Sequence, residues 1–346
     1  MSANMNPKSP SLTDIAACAG VSRMTVSCAL RGTGRISPAT ISRIRAIARE
    51  RGYTPDARLT EVMARVRETR RKEPVPIAWI NGFENPNAYR EYTWATPFIE
   101  GARERCLELG YKLDEFWLRE PGMTERRMSS IIASRGIRGV IVGLTRPSVL
   151  RLRFDWRQFA SVSFEGSILA PQLHRVHPDH HYNLLLTLKM LRRLGYRRIG
   201  LCVHRIIERR SHHAYLAALR FFQSGVPRGE RVEPFVFEPF DQRGLARWLK
   251  RARPDAVVGH HAKLVEWLGT AGRRVPEDVG VAHLSLDGDC EDWAGIWQHK
   301  RRIGAQAVSQ VVSLLHTGET GLPELAYETL VPGEWRFGKT LLRRTV

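Results

Sequence analysis

The chain has 346 residues, 43% of them hydrophobic, which is enough for one small domain and a large two-lobed one. Its formal net charge of +19 favours a polyanionic partner, although a general preference for arginine would produce the same bias. The five cysteines lack CxxC spacing, which disfavours a disulfide framework and a zinc site. Without a signal sequence or an apolar run of about 18 residues, we expect a cytoplasmic protein with no membrane span.

Residues 11–30 have the pattern of two short helices joined by a tight turn. The first helix carries one apolar stripe, formed by Leu12, Ile15, Ala16 and Ala19. Gly20 can end that helix, Val21 can fill the corner, and Ser22 is a good N-cap for the second helix. The inward face of the second helix consists of Val26, Ala29 and Leu30. Its first turn then points outward, as in a helix that reads the major groove of DNA.

A third amphipathic helix follows. Ser37 and Pro38 form its N-cap and first-turn pair. The apolar positions that can close a small core are Ile41, Ile44, Ile47 and Ala48. The sequence therefore predicts a helix-turn-helix headpiece at residues 9–55, and a three-helix protein-binding domain is the alternative.

The segments DIAACAGVSRMTVSCAL, ISPATISRI and RGYTPD follow one another in this order. This order resembles, element by element, the headpiece of the LacI/GalR (lactose-repressor-type) family of bacterial transcriptional regulators. The resemblance implies transcription regulation by a homodimer that binds a palindromic operator in double-stranded DNA.

Four headpiece residues are candidates for reading bases. Arg23 is expected to contact guanine, because a guanidinium matches the guanine edge bidentately, and Met24 offers an apolar contact to, for instance, a thymine methyl. Cys28 stands where relatives commonly carry a base-reading arginine, and Arg35 can contact a base or a phosphate. The candidates for anchoring phosphates are Ser11, Ser22, Thr25, Ser27 and Thr40. For Ser11 and Ser22, a role as helix caps alone is the alternative.

Residues 56–74 are predicted to form a hinge helix and linker. Their apolar stripe consists of Leu59, Val62, Met63 and Val66. In the resembling family, this segment folds when two copies pair over the minor groove, where a leucine wedges into the central base step. The alignment places Val62 at that position with Met63 beside it, so both are minor-groove candidates. A role of the stripe as a dimer contact alone is the alternative.

From residue 75 onward, short apolar strands alternate with amphipathic helices in two successive runs, and one of these helices is expected at residues 211–222. Such alternation is typical of doubly wound parallel sheets, so two runs predict two α/β lobes. LGYRRIG, PDAV and RVPEDVGV resemble landmarks of the family's effector domain, which is itself similar to periplasmic sugar-binding proteins. By this resemblance the chain crosses between the lobes three times. We expect an effector-binding and dimerisation domain at 75–346, with lobe 1 at about 75–172 and 301–330 and lobe 2 at about 173–300 and 331–346.

The cleft between the lobes is the expected ligand site, because ligands of such folds bind beyond the carboxyl ends of the strands. A sugar-like ligand needs an aromatic face and polar groups that bind hydroxyl pairs. The candidates near the family's cleft positions are Asp179, Arg209, Arg210, His261 and Asp287. Predicted loops add Trp94, Trp293 and Gln298, and simple packing is the alternative for each tryptophan. Several polar anchors of the family have changed, so the resemblance does not identify a particular sugar.

Four histidines lie close enough in sequence to suggest a metal site: His174, His177, His180 and His181. Only Asp179 adds a carboxylate, so we predict no metal. A nucleophile elbow, a P-loop and a dinucleotide fingerprint are all absent from the sequence, so neither a cofactor nor an enzymatic activity is expected.

The sequence therefore predicts a DNA-binding repressor whose operator affinity is controlled by a small molecule, a sugar or sugar derivative, in the interlobe cleft. A ligand-independent DNA-binding dimer is the first alternative. A cytosolic solute-binding protein is the second, and the missing signal peptide and the intact headpiece disfavour it.

Overall fold

The structure, a computed structural model, describes residues 10–30, 36–53, 74–145, 150–288 and 290–344. The headpiece consists of α1 (Leu12–Ala19), α2 (Arg23–Leu30) and α3 (Pro38–Glu50). The apolar faces of the three helices meet in a core of their own, in which the fully buried side chains are Ile15, Val26, Ala29 and Ile44. This arrangement confirms the predicted helix-turn-helix fold.

Local sequence signals explain where these helices begin and end. Ser11 and Asp14 form a reciprocal capping box at the start of α1, and Gly20 ends that helix with a φ of 62°. Ser37 caps α3, and Pro38 occupies its first turn. The turn from α1 to α2 is thus short and fixed at both ends.

The first lobe alternates strands and helices in chain order. Its strands are β1 (Val75–Gly82), β2 (Tyr111–Trp117), β3 (Gly139–Thr145), β4 (Leu150–Arg151), β5 (Ala160–Phe164), β6 (Ile168–Ala170) and β7 (His174–Pro178). Its helices are α4 (Ala88–Glu91), α5 (Thr96–Glu108) and α6 (Glu125–Ser134), with a 3-10 turn at Trp156–Gln158.

The second lobe repeats the alternation. Its helices are α7 (His180–Arg193), α8 (Arg205–Arg210), α9 (Ala214–Ser224), α10 (Gln242–Ala252) and α11 (Leu264–Thr270), with a 3-10 turn at Arg228–Glu230. Its strands are β8 (Ile199–His204), β9 (Phe235–Phe237), β10 (Ala256–Gly259), β11 (Gly280–His283) and β12 (Gly295–Trp297). The chain then continues through α12 (Lys300–Thr317), β13 (Glu328–Val331) and β14 (Glu334–Arg336).

Two six-stranded sheets result. The first has the order β13-β7-β5-β3-β1-β2 and is parallel throughout. The second has the order β14-β12-β11-β10-β8-β9, in which β14 runs antiparallel to β12. Both faces of the first sheet are covered, because Ile77 and Trp79 belong to one buried cluster and Ala78 and Ile80 to another. The predicted doubly wound α/β lobes are therefore confirmed.

The chain passes between the two sheets three times, after β7, before α12 and after β13. The first crossing was expected near residue 172, but β7 pairs with β5, so residues 174–178 belong to the first sheet. Where α12 returns to the first lobe, it touches α5 through backbone. A Cβ on Gly304 would lie 1.9 Å from the carbonyl oxygen of Phe98, so only glycine fits there.

The helix predicted at residues 211–222 begins three residues later than expected, because α8 ends at Arg210 and α9 begins at Ala214. His212 and His213 separate them with φ values of 50° and 62°, which no α-helix can accommodate. Among the described residues, no helix has both the length and the apolar composition that crossing a membrane requires.

Candidate functional site

The first turn of α2 forms an exposed surface of the headpiece. Arg23 is exposed, and Met24 is 70% exposed although it is apolar. Arg23 forms no hydrogen bond or ion pair through its side chain with any residue that the structure describes. The Ser22 hydroxyl accepts the N–H of Thr25 at 3.1 Å and lies 2.9 Å from the Thr25 hydroxyl. This cap fixes the direction in which the two side chains leave the helix.

The other headpiece candidates are engaged to different degrees. Ser11 donates its hydroxyl to the Asp14 carboxylate at 2.7 Å, so it serves as a cap. The hydroxyls of Thr40 and Ser37 lie 2.8 Å apart. The half-buried residues of the group are Thr25, Ser27 and Cys28, the last with a free thiol.

Three candidates for DNA contact, Arg35, Val62 and Met63, lie outside the described residues, so their roles stay predictions. The structure adds one headpiece residue that sequence reasoning missed. Arg43 on α3 donates to the carbonyl of Ala19 at 3.1 Å and so binds the end of α1. In the sequence, Arg43 is one of several arginines on α3, so nothing in the sequence distinguished it from the others.

The two lobes contact each other directly beside the cleft. Arg210, at the end of α8, donates to the carbonyl of Thr145 at the carboxyl end of β3. Gly166 packs on the backbone of Arg210, since a Cβ there would lie 2.8 Å from the Arg210 carbonyl oxygen. Elsewhere, a Cβ on Gly288 would lie 2.3 Å from the carbonyl oxygen of Thr93. The facing loops therefore meet directly across the cleft.

Two predicted effector residues have structural contacts of their own. Asp179 is the N-cap of α7 and accepts the N–H of Tyr182 at 2.9 Å. His261 is exposed; its Nδ1 accepts the N–H of Lys263 at 3.1 Å, and its ring centre lies 4.3 Å from that of Trp267. Arg209 is exposed on α8.

Asp287 and Gln298 are buried inside the second lobe. The Asp287 carboxylate accepts the backbone N–H groups of Gln298 at 2.7 Å and of Lys300 at 3.1 Å. Gln298 donates its amide to the carbonyl of Leu284 at 2.7 Å, and Lys300 donates to the carbonyl of Asp287 at 2.7 Å. With exposures of 3% and 2%, Asp287 and Gln298 hold the loops beside the cleft in place.

The two candidate tryptophans pack on neighbouring rings. Trp94 lies against Phe83 and Tyr92, with ring centres 6.2 and 5.9 Å apart. Trp293 meets the ring of His283 edge-on at 5.6 Å. Both tryptophans are half-buried, so one part of each ring stays accessible.

Sequence reasoning missed a polar network that joins the lobes. Glu165 follows β5 in the first lobe, and its Oε1 lies 3.5 Å from Nε2 of His180 at the start of α7 in the second. The Tyr215 hydroxyl lies 2.8 Å from the other ring nitrogen, Nδ1 of His180. Burial opposes ionisation of Glu165, but the hydrogen bond and charge of His180 and the charge of Arg210 outweigh it and lower the pKa of the carboxyl to about 2. In the sequence, this network was indicated only by an acidic residue, Glu165, directly after a buried strand.

Two further histidines lie at the ends of strands: His260 directly follows β10, and His283 is the last residue of β11. Burial and the positive charge of Lys300 lower the pKa of His260 to about 4. Burial and the charges of His260 and Lys300 lower the pKa of His283 well below its usual range. Nδ1 of His283 accepts the N–H of Ser285 at 3.1 Å, so in the neutral ring the proton is on Nε2. That Nε2 is buried and has no hydrogen-bond partner among the described residues, so the N–H of the neutral ring is left unsatisfied.

The four histidines considered as metal ligands are not brought together. The His174 ring stacks on Tyr327, with centres 5.2 Å apart. His177 and His180 stack on each other at 5.8 Å, and His181 is exposed. Within the described residues, no three side chains of His, Cys, Asp or Glu are grouped so that they could hold a metal ion.

Comparison with known proteins gave matches at both ends of the chain. Residues 11–56 match the family described as bacterial regulatory proteins, lacI family, and residues 188–340 match the periplasmic binding protein-like domain. No curated protein matches the chain by sequence.

Three solved structures illustrate the likeness of fold. A complex of the transcriptional regulator CelR with cellobiose is 21% identical, with 96% of this chain and 99% of that chain covered and a TM-score of 0.55. The lac repressor dimer bound to operator and the anti-inducer ONPF is 16% identical, with 97% and 100% covered and a TM-score of 0.54. The LacI-family regulator CCPA from Weissella paramesenteroides with bound glucose is 12% identical, with 77% and 98% covered and a TM-score of 0.52.

Proposed function

The chain belongs to the LacI family of bacterial regulatory proteins, and we propose that it is a cytoplasmic, non-enzymatic repressor that binds a palindromic operator as a homodimer. The observation that carries the proposal is the exposed, capped first turn of α2, which presents Arg23 and Met24 on a compact three-helix headpiece. Such a turn fits the major groove, where base edges are distinguishable.

In this proposal Arg23 reads guanine and Met24 contacts a thymine methyl. Cys28 and Arg35 add base contacts, and the hinge residues Val62 and Met63 enter the minor groove. The phosphate contacts come from Ser11, Ser22, Thr25, Ser27 and Thr40. Phosphate contacts set the register of the headpiece, and base contacts supply the sequence preference.

We further propose that a small molecule, a sugar or sugar derivative, binds in the interlobe cleft. The unpartnered Nε2–H of His283 and the ionised carboxylate of Glu165 offer one donor and one acceptor, which suits a hydroxylated ligand. Around them we place six further effector contacts: Asp179, Arg209, Arg210, His261, Trp94 and Trp293. Asp287 and Gln298 would act by holding the adjoining loops.

The ligand would control DNA binding through the contacts between the lobes. A ligand that bonds to the carboxylate of Glu165 would compete with the bond from His180, which joins the two lobes. Lobe movement would alter the spacing of the two hinge segments in a dimer. We expect a coupling of about 1–3 kcal/mol between ligand and operator, the usual range for such two-state systems.

The decisive experiment is selection of random duplex DNA by the purified protein at near-physiological salt, followed by sequencing of the retained duplexes. A palindromic consensus with half-sites about one helical turn apart is the expected result. Retention without any sequence preference would contradict the proposal. The selected operator then serves to test sugars for their effect on the operator affinity.

A second candidate is a ligand-independent DNA-binding dimer. The direct bonds between the lobes, above all from Arg210 to Thr145, favour it because they bridge the cleft without a ligand. The two candidates differ in thermal unfolding across a panel of sugars. A ligand-controlled repressor gains stability from one sugar, whereas the ligand-independent dimer responds to none. A cytosolic solute-binding protein would show the same gain but no selected operator.

A further inference from the structure

The outer end of the second lobe is strongly basic. We define the basic pole as the turns that precede β8, β9, β10 and β11 of the second sheet, together with the C-terminal residues beside them: 192–198, 228–234, 251–255, 273–278 and 343–344. They contain twelve arginines and five acidic residues. The turns that precede β2, β3, β5, β7 and β13 in the first sheet, 109–110, 135–138, 155–159, 171–173 and 324–327, contain three arginines and two acidic residues, the linker before β1 not being counted.

Hydrogen bonds join these turns into one surface. The Asp255 carboxylate accepts the backbone N–H groups of Arg197 at 2.7 Å and of Arg198 at 3.0 Å. The Arg198 side chain donates to a carbonyl in the turn 228–234, and the backbone N–H of Arg344 donates to the carbonyl that ends α7. The basic pole is therefore a continuous, fixed surface.

Most carboxylates of the basic pole are already engaged. Asp255 is used by the backbone, and Glu230 and Glu233 form ion pairs with arginines. Asp278 pairs with Arg274 at 3.0 Å, and the hydrogen bonds from Arg274 lower the pKa of its carboxyl to about 2. These acids therefore do little to neutralise the remaining arginines.

Six exposed arginines of the basic pole form neither an ion pair nor a side-chain hydrogen bond with any residue in the described part of the chain: Arg197, Arg228, Arg251, Arg253, Arg273 and Arg343. The exposed side chains of these turns include no aromatic ring, since the one tyrosine, Tyr196, is buried. Binding of single strands usually combines cations with stacking rings. A surface of exposed arginines without exposed aromatic rings is instead suited to bind the phosphates of a double-stranded nucleic acid.

The topology separates the basic pole from the headpiece. The chain enters the first lobe at Val75, the amino end of β1, whereas the carboxyl ends of the strands approach the cleft. The basic pole lies at the amino ends of the second sheet, on the far side of the cleft. Two sheets end to end span roughly 40–50 Å at about 3.3 Å per residue, so the entry point of the first lobe and the basic pole lie at opposite ends of the two lobes.

We propose that the basic pole binds a second segment of double-stranded DNA through its phosphates, without sequence preference. The regulator would then hold two duplexes at once, one by the headpiece and one by the pole. This goes beyond operator binding and does not depend on it, because the headpiece has its own core and its own contacts.

The test isolates the basic pole within the full-length chain. In a first variant, Ile44→Asp places a charge in the headpiece core and removes headpiece binding. In this background we compare R197Q/R228Q/R251Q/R273Q in the pole with R127Q/R243Q/R247Q/R302Q, which removes four exposed charges elsewhere. Fluorescence anisotropy with a 30-base-pair random duplex, titrated at several salt concentrations, gives the affinity, and circular dichroism of the lobes checks the fold.

The chain with Ile44→Asp should still bind the duplex at low salt. Each phosphate contact contributes about 0.9 to the slope of log affinity against log salt, so the pole variant should show a slope shallower by about 3 to 4. Its affinity at low salt should fall at least about 100-fold, against less than about fivefold for the control. Equal losses in both variants, or no binding by the Ile44→Asp chain, would overturn the proposal. Tighter binding of a single-stranded RNA than of the duplex would overturn the assignment to double-stranded DNA.

Discussion

Replacement of Arg23 by alanine tests the base-reading surface directly. The side chain is exposed in the first turn of α2 and lies outside the headpiece core. Alanine is a strong helix former, so the free energy of unfolding should change by less than about 0.5 kcal/mol. Any large effect on DNA binding then reflects the lost contact and not a damaged headpiece.

The expected loss follows from the geometry of one bidentate contact in each half-site. Such a contact contributes about 1–3 kcal/mol of discrimination against the wrong base. A homodimer on a palindrome makes it twice, so Arg23→Ala should weaken operator binding by about 2–6 kcal/mol, at least roughly 30-fold. Preference should relax at one symmetric position in each half-site and nowhere else.

Selection of random duplexes by wild-type and variant protein, at one fixed salt concentration, measures that preference. Met24→Ala is the matched control, because it alters the neighbouring exposed position and removes only an apolar contact. A uniform loss of affinity across all sequences, with the consensus unchanged, would show that Arg23 contacts only phosphate and would refute the reasoning.

Three further predictions concern the hinge, the headpiece core and the interlobe network. If Val62 is the side chain that inserts between base pairs in the minor groove, Val62→Leu should tighten operator binding in a titration, because leucine reaches further between the bases. No effect of Val62→Leu, together with a large loss of affinity from Met63→Ala, would assign the inserted side chain to Met63 instead. Ile44→Ala should cost the headpiece about 2–4 kcal/mol, since the side chain is fully buried in a small core, and operator binding should be lost on warming well below the unfolding temperature of the lobes; unchanged binding would contradict this. The folded-state pKa of Glu165, about 2, lies below its usual 4.5, so the ionised carboxylate stabilises the fold above about pH 5 and this contribution is lost as the pH falls towards 2. Glu165→Gln should therefore flatten the decline of the thermal midpoint between pH 6 and 3, whereas Glu324→Gln, at an exposed position, should not.

The headpiece was predictable because its determinants are local. The stripe from Leu12 to Ala19, the left-handed Gly20 and the caps Ser22 and Ser37 act within one or two helical turns, so their spacing in sequence is also their spacing in space. The alternation of strands and helices predicted the two lobes for the same reason. The break at His212 and His213 was missed because two residues in left-handed conformation leave no such periodic signal.

The cleft was decided by the tertiary structure. Glu165, His180 and Tyr215 meet only because the chain leaves the first sheet after β7 and builds the second one, and no local spacing specifies that encounter. Asp287 was selected from the sequence by its position after a strand, yet the fold uses its carboxylate to hold two backbone N–H groups. Local sequence thus determined which elements form and what the headpiece exposes. The partners of the cleft residues depend on long-range packing, in which burial sets both the contacts and the pKa values.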